Sequence, residues 1–162
     1  GGLGHRGSMG ITSTEVDYPG FELLDVKSPV RGAGEGGHLS ISKERLLGWN
    51  PDVIFVDGGG LEVVLADYEK NPEYYESLGA VASGEVYVLL PYNFYTTNIS
   101  TALANYFYMG KVLYGSAFAD VEAGRKADSI YRFLVGEGVF ERMKRDYGGF
   151  ERLDFGGGKW KQ

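Results

Sequence analysis

The chain has 162 residues, 43% of them hydrophobic, which is enough for one domain with a real core and too few for two. Its formal net charge of −6 argues against a nucleic-acid-binding surface, and the absence of cysteine excludes disulfides and thiolate metal sites. No apolar run approaches the ~20 residues that a membrane-spanning helix needs.

In chain order, Gly1–Gly10 reads as a glycine-rich loop and Thr12–Pro19 as a polar turn. Phe21–Val26 has the pattern of a short amphipathic helix. A loop with several glycines, Ser28–Ser40, leads to a second short helix over Ser42–Trp49, with Leu46, Leu47 and Trp49 facing inward. Asp52–Val56 and Glu85–Leu90 are short, apolar and β-branched, and Pro51, Gly58–Gly60, Gly84 and Pro91 bound them. Such runs are strands buried on both faces. The interval Leu61–Leu78 is long enough for a helical crossover, with Pro72 at a first helical position after Asn71 as N-cap. Strand, helix and strand at this spacing form a βαβ unit, whose strands are parallel.

Asn98 then caps a helix over Ile99–Tyr114, stopped by Gly115, with Ile99, Ala102, Leu103, Tyr106, Phe107, Met109 and Leu113 expected inside. Glu122–Val135 is a further helix, with Ala127, Ile130, Tyr131 and Leu134 on its buried face and Gly136 closing it. Val139–Asp146 is the last helix, ended by Gly148–Gly149. Phe150–Gln162 reads as a loose strap.

Two segments match G-x-G-x-x-G by letter, Gly2–Gly7 and Gly32–Gly37. A dinucleotide fingerprint needs a strand before it and a helix directly after it, and neither match has that context. His5 and His38 lie far apart with no partner at metal-ligand spacing, and they read as loop histidines. Asn98-Ile-Ser100 spells a glycosylation sequon, but helix capping accounts for the asparagine.

In parallel sheets, ligands gather beyond the carboxyl ends of the strands, which points to Asp57–Gly60 and Pro91–Tyr95. The second of these loops carries three aromatic and two asparagine residues over Pro91–Asn98. Rings with polar tips suit a flat, partly apolar ligand, and at least one of Tyr92 and Tyr95 is expected to face it. The alternative is that these rings plug the top of the core.

The order of segments is also familiar. A GLGHRG loop is followed by HxSISKERLLGWNPDVIFV, then by SLGAVASGEVYVLLPYNFY and TTNISTALANYFYMGKVLY. Over about Gly2 to Phe155 this resembles the C-terminal lobe of ABC-transporter solute-binding proteins for iron–siderophore, haem and cobalamin uptake, and the YNFYTTN block looks like archaeal-type iron-complex members. The resemblance implies an α/β fold: a Rossmann-like three-layer lobe with a small, mostly parallel sheet flanked by helices. Against the family pattern, the N-terminal lobe, the linking helix and most of this lobe's first strand are not in the sequence. The lobe is therefore expected to cover 1–155, with 156–162 as a tail and one sheet edge open to pairing with another copy.

The implied function is extracytoplasmic capture of an iron chelate or corrinoid and delivery to an ABC permease, without catalysis, cofactor or resident metal. The implied ligand residues are His5, Arg6, Asp57, Gly58, Tyr92, Asn93 and Tyr95, with Arg6 making the wall mildly basic. Glu44 matches the motif position of the permease-docking carboxylate, and a plain role in the first turn of a helix is its alternative. A small Rossmann-like enzyme or nucleotide-binding domain is the competing class. It would need titratable groups that perturb one another at the strand ends, where the sequence offers mainly Tyr, Asn, Gly and Asp57.

Overall fold

Burial drives residues 54–57 and 86–89 into adjacent strands, because Val56, Val86 and Val88 have no exposed surface at all. The structure is a computed structural model and describes residues 10–94 and 96–156. Its elements run β1 (Ser13–Glu15), α1 (Pro19–Leu23), β2 (His38–Ser40), α2 (Lys43–Trp49), β3 (Ile54–Asp57), α3 (Leu61–Lys70), α4 (Pro72–Glu76) and α5 (Gly79–Ala82). They continue with β4 (Val86–Leu89), β5 (Asn93–Phe94), β6 (Thr96–Thr97), α6 (Ile99–Leu113), α7 (Ala123–Val135), α8 (Phe140–Tyr147) and β7 (Glu151–Arg152).

The central sheet has the order β3-β4-β7. β3 and β4 are parallel, with Ile54 opposite Val86 and Asp57 opposite Leu89. β7 is antiparallel to β4. The parallel pair is as expected from the sequence; the sheet around it is mixed, because the segment read as a loose strap supplies its third strand. Val86 and Val88 accept hydrogen bonds from Leu153 and Phe150 at 2.7 Å, and Leu153 is buried. Glu151 and Arg152 hide this strand from a pattern search, since their side chains pair with Lys144 and Glu85 instead of packing.

The crossover from β3 to β4 is three short helices in place of one. Asn71 stands before Pro72, but its side chain does not cap α4; its amide donates to the Asp67 carboxylate at 2.8 Å. Asp67 also takes bonds from the Lys43 ammonium (2.8 Å) and the Tyr75 hydroxyl (2.7 Å), which ties α2, α3 and α4 together. On the layer formed by these helices, Val64, Tyr75, Leu78 and Ala80 pack against Ile54, Val56, Val86 and Val88. The other layer is aromatic: Tyr18, Leu89, Tyr108 and Met109 form its center, with Phe21, Phe55, Tyr87, Tyr92 and Tyr106 packed around them.

α6 begins where expected, with the Asn98 side chain accepting from the Thr101 N–H. Its buried face is only partly the expected one: Ala102 and Met109 are buried, but Ile99 is 65% exposed and Leu103 37%, while Thr101, Ala104, Asn105 and Tyr108 also face the core. The helix is apolar on nearly every side, so periodicity could not select a face; α7 does, through the Thr101–Tyr131 hydroxyl contact at 3.1 Å. The opposite side is covered further along, where Phe118 lies against Gly110 and Phe107. On α7, Ala127 and Tyr131 are buried as expected, whereas Leu134 is exposed near the helix end. Gly136 closes α7 with φ +88°, a left-handed value that glycine adopts without strain.

Two segments read as turn and loop pair as strands: β1 and β2 join antiparallel, with Glu15 opposite His38. They are three residues each, too short for alternation to register. The Gly32–Gly37 match to the dinucleotide fingerprint leads into β2, not into a helix, so it is a loop.

Candidate functional site

Because Asp57 and Leu89 are opposite one another in the parallel register, the segments that follow them leave the same edge of the sheet. After β3 the chain must turn at once into α3. The Asp57 carboxylate accepts from the Gly59 N–H at 2.8 Å and opens a single 3-10 turn over Gly58–Gly60. Gly58 is required by contact, not by dihedral: a Cβ there would stand 2.7 Å from the Tyr147 carbonyl oxygen and 2.9 Å from that of Leu89. A Cβ on Gly59 would in turn lie 3.4 Å from Pro91, so the two strand-end loops run close together.

The loop after β4 is held from beneath. Asn105 is fully buried on α6, accepts from the Leu90 N–H at 3.1 Å and donates to the Leu90 carbonyl at 2.8 Å. Both backbone groups of a buried residue are thereby satisfied where the strand has ended. Tyr92 then leaves the loop half-buried. Its hydroxyl donates to the Glu15 carboxylate, and its ring stands edge-on to Tyr18 at 5.6 Å. Tyr18 makes further edge contacts with Phe21 (5.3 Å) and Tyr106 (5.8 Å). Its hydroxyl is buried and makes no well-formed hydrogen bond among the described residues.

The electrostatics follow from this packing. Burial pushes the Asp57 carboxyl up to about 6; the Gly59 N–H offsets part of the rise, and the nearby Glu15 charge adds to it. Burial, then the hydrogen bond to Glu15 and its charge, raise the Tyr92 phenol far above its ordinary value. The Tyr18 phenol is raised by burial first, then by the neighbouring Tyr106, Asp57 and Glu15, with the Asn105 amide close enough to oppose part of the shift. Both phenols are neutral hydrogen-bonding groups at any physiological pH.

The structure thus brings Asp57, Gly58 and Tyr92 together at one sheet edge. Asn93 is exposed and pairs with Thr97 in the small β5–β6 hairpin beside them. His5, Arg6 and Tyr95 lie outside the described residues, and so does the Gly2–Gly7 match. Among the described residues the charges of the site are Glu15 and Asp57, while Arg6, on which the mildly basic wall rested, lies outside them. No group of three His, Asp or Glu residues suited to a metal occurs among the described residues.

Glu15, Tyr18 and Asn105 escaped the sequence reading. Only Asn105 had a visible signal, as a polar residue amid the apolar positions of α6. Glu44 sits exposed in the first turn of α2, where its own N–H and the Ser42 hydroxyl hold its carboxyl below the usual range. Among the described residues it makes no ion pair.

The site is a rim of phenols and carboxylates over the two strand-end loops, with the Tyr92 hydroxyl and the Glu15 carboxylate joined within it. No protein-family model matches the chain, and no curated protein matches it significantly.

Proposed function

We propose that this chain is the ligand-holding lobe of an extracytoplasmic solute-binding protein, one that captures an iron chelate or corrinoid and passes it to an ABC permease. The supporting observation is the pair of parallel strands that deliver Asp57–Gly60 and Pro91–Asn93 to the same edge with Tyr92 between them. Strand ends of a parallel α/β unit are where such folds hold ligands. The mixed sheet with helices around it agrees with a Rossmann-like lobe in which β7 adds an antiparallel edge. Exposed Glu44, without an intramolecular ion pair among the described residues, is the carboxylate we assign to permease docking. No helix of the described residues is long and apolar enough to cross a membrane.

A single lobe encloses little ligand surface, so its own affinity is expected to be weak. Amide chemical shifts read such binding. Titration of ¹⁵N-labelled chain with a ferric hydroxamate siderophore, haem and cyanocobalamin should produce saturable shifts for one of them, confined to residues 57–60 and 90–93 and to Glu15. Absence of saturable shifts with all three, or shifts confined to other surfaces, would sink the proposal.

One observation favours a second reading, a small Rossmann-like enzyme. Asp57 has a carboxyl near 6 next to a second carboxylate, which is suitable for proton transfer. Against it, Asp57 is engaged in capping Gly59.

A further inference from the structure

Capping accounts for only half of the Asn98 amide. The Thr101 N–H can only donate, so the atom that faces it at 3.3 Å is the oxygen Oδ1. The Ser100 hydroxyl donates to the same oxygen at 2.7 Å. These two bonds hold Oδ1 over the first turn of α6, and the planar amide then directs Nδ2 away from the helix. Among the described residues Nδ2 has no hydrogen-bond partner. The backbone beneath is fixed as well, since the Asn98 N–H donates to the Tyr92 carbonyl at 2.7 Å.

The surroundings are open, because Thr96, Thr97, Asn98 and Ile99 are all exposed. Asn98-Ile99-Ser100 is also the one Asn-x-Ser/Thr triplet in the sequence, and its middle residue is not proline. Three letters alone do not make a glycosylation site. Here the fold adds what they lack: an acceptor nitrogen that is outward, unpaired and not needed for the cap.

We propose that Asn98 carries an N-linked glycan on Nδ2, added before α6 packs. The inference rests on the extracytoplasmic reading above, because lipid-linked sugar donors and their transferases act on chains that cross a membrane. In the transfer, Nδ2 forms a bond to the anomeric carbon of a lipid-diphosphate-linked oligosaccharide. The bond from that carbon to the diphosphate breaks, the diphosphate leaves with the electron pair, and one amide proton passes to a base of the transferase. Oδ1 keeps its lone pairs throughout, so a glycosylated Asn98 still accepts from Thr101 and Ser100 and still caps α6. Ser100 sets the order of events. A transferase reads the hydroxyl at this place in the triplet, yet in the fold Ser100 is 4% exposed and its hydroxyl is engaged with Asn98. Transfer therefore comes first, while the segment is still extended, and packing of α6 follows.

The test begins with protein purified from the cells that make it, after cytoplasmic and extracytoplasmic fractions are separated. Fragmentation mass spectrometry of the peptide containing Asn98 should find sugar residues on that side chain, and none in Ser100→Ala, which keeps the Asn98 cap on Thr101. An extracytoplasmic chain with a bare Asn98 would overturn the glycan and leave the ligand-binding reading standing. A chain confined to the cytoplasm would overturn both. The order of events is read with a solubilised oligosaccharyltransferase and a lipid-linked donor, offered either the folded unmodified chain or a synthetic peptide of residues 93–103. The peptide should be glycosylated roughly tenfold faster or more, since exposing Ser100 in the folded chain requires local opening of α6. Equal rates on the two acceptors, or no transfer to the peptide, would also overturn the proposal.

Discussion

Asn105 is the side chain on which the strand-end site rests most directly. It is buried without exposed surface and satisfies both backbone groups of Leu90. Asn105→Ala strands a buried N–H and a buried C=O together, which should cost about 2–4 kcal/mol in urea denaturation. Gly58→Ala meets two backbone carbonyls, neither of which can swing aside, and a loss of about 1–3 kcal/mol is expected in the same assay. Asp57 carries a pH dependence of definite sign. Its folded value near 6 lies above the ordinary 3.8, so the folded state holds the extra proton between those values and stability falls as pH rises from about 4 to about 6. Asp57→Asn keeps an acceptor for Gly59 and removes the charge. It should raise the urea midpoint at pH 7.5 and leave it unchanged at pH 3.5; an equal change at both would refute the assignment. Asp67 works in the opposite direction. Burial pushes its carboxyl up, but bonds and charge from Lys43, with those from Tyr75 and Asn71, outweigh it, so its contribution is present above the ordinary value and disappears as pH falls below it. Asp67→Asn is therefore expected to destabilise at neutral pH and to matter little in acid.

Legibility differed element by element. β3 and β4 could be read because Asp52–Val56 and Glu85–Leu90 are short, β-branched runs bounded by Gly and Pro, and the register then placed their loops together. α6 was found but not oriented: with Ile99, Leu103, Tyr106 and Phe107 on one side and Ala104, Tyr108 and Met109 on the other, its composition has no preferred face. β1 and β2 are too short for a period of two to show. β7 is two charged residues whose strand character comes from Phe150 and Leu153 donating to β4, a tertiary fact with no local trace. For the same reason the acidic half of the site was hidden, since Glu15 meets Tyr92 only after β1 has paired with β2. If the segment after Gly149 is a true strand, Leu153→Ala should cost about 2–4 kcal/mol, as for a core leucine. A change under 0.5 kcal/mol would restore the strap.

At the scale of the molecule, two apolar layers are separated by a narrow mixed sheet, and the strand-end rim lies at the carboxyl ends of β3 and β4. A chelate bound at the rim should therefore shift Tyr92 and the 57–60 turn and leave amide exchange at Phe55, further down β3, unchanged.

The pairing of β7 with β4 also bears on how the chain acquires its shape. Arg152 and Glu85, which meet across these strands, are 67 residues apart in sequence. Between them the chain makes the α6–α8 helices, whose contacts are local and quick to form. Closing so long a loop is slow by comparison, and until it happens β4 has an open edge and Val86 and Val88 lack one neighbour. On a ribosome the sheet stays incomplete until residues 150–153 have left the exit tunnel, so a nascent chain stalled before them should hold helical content yet remain sticky and protease-sensitive around β4.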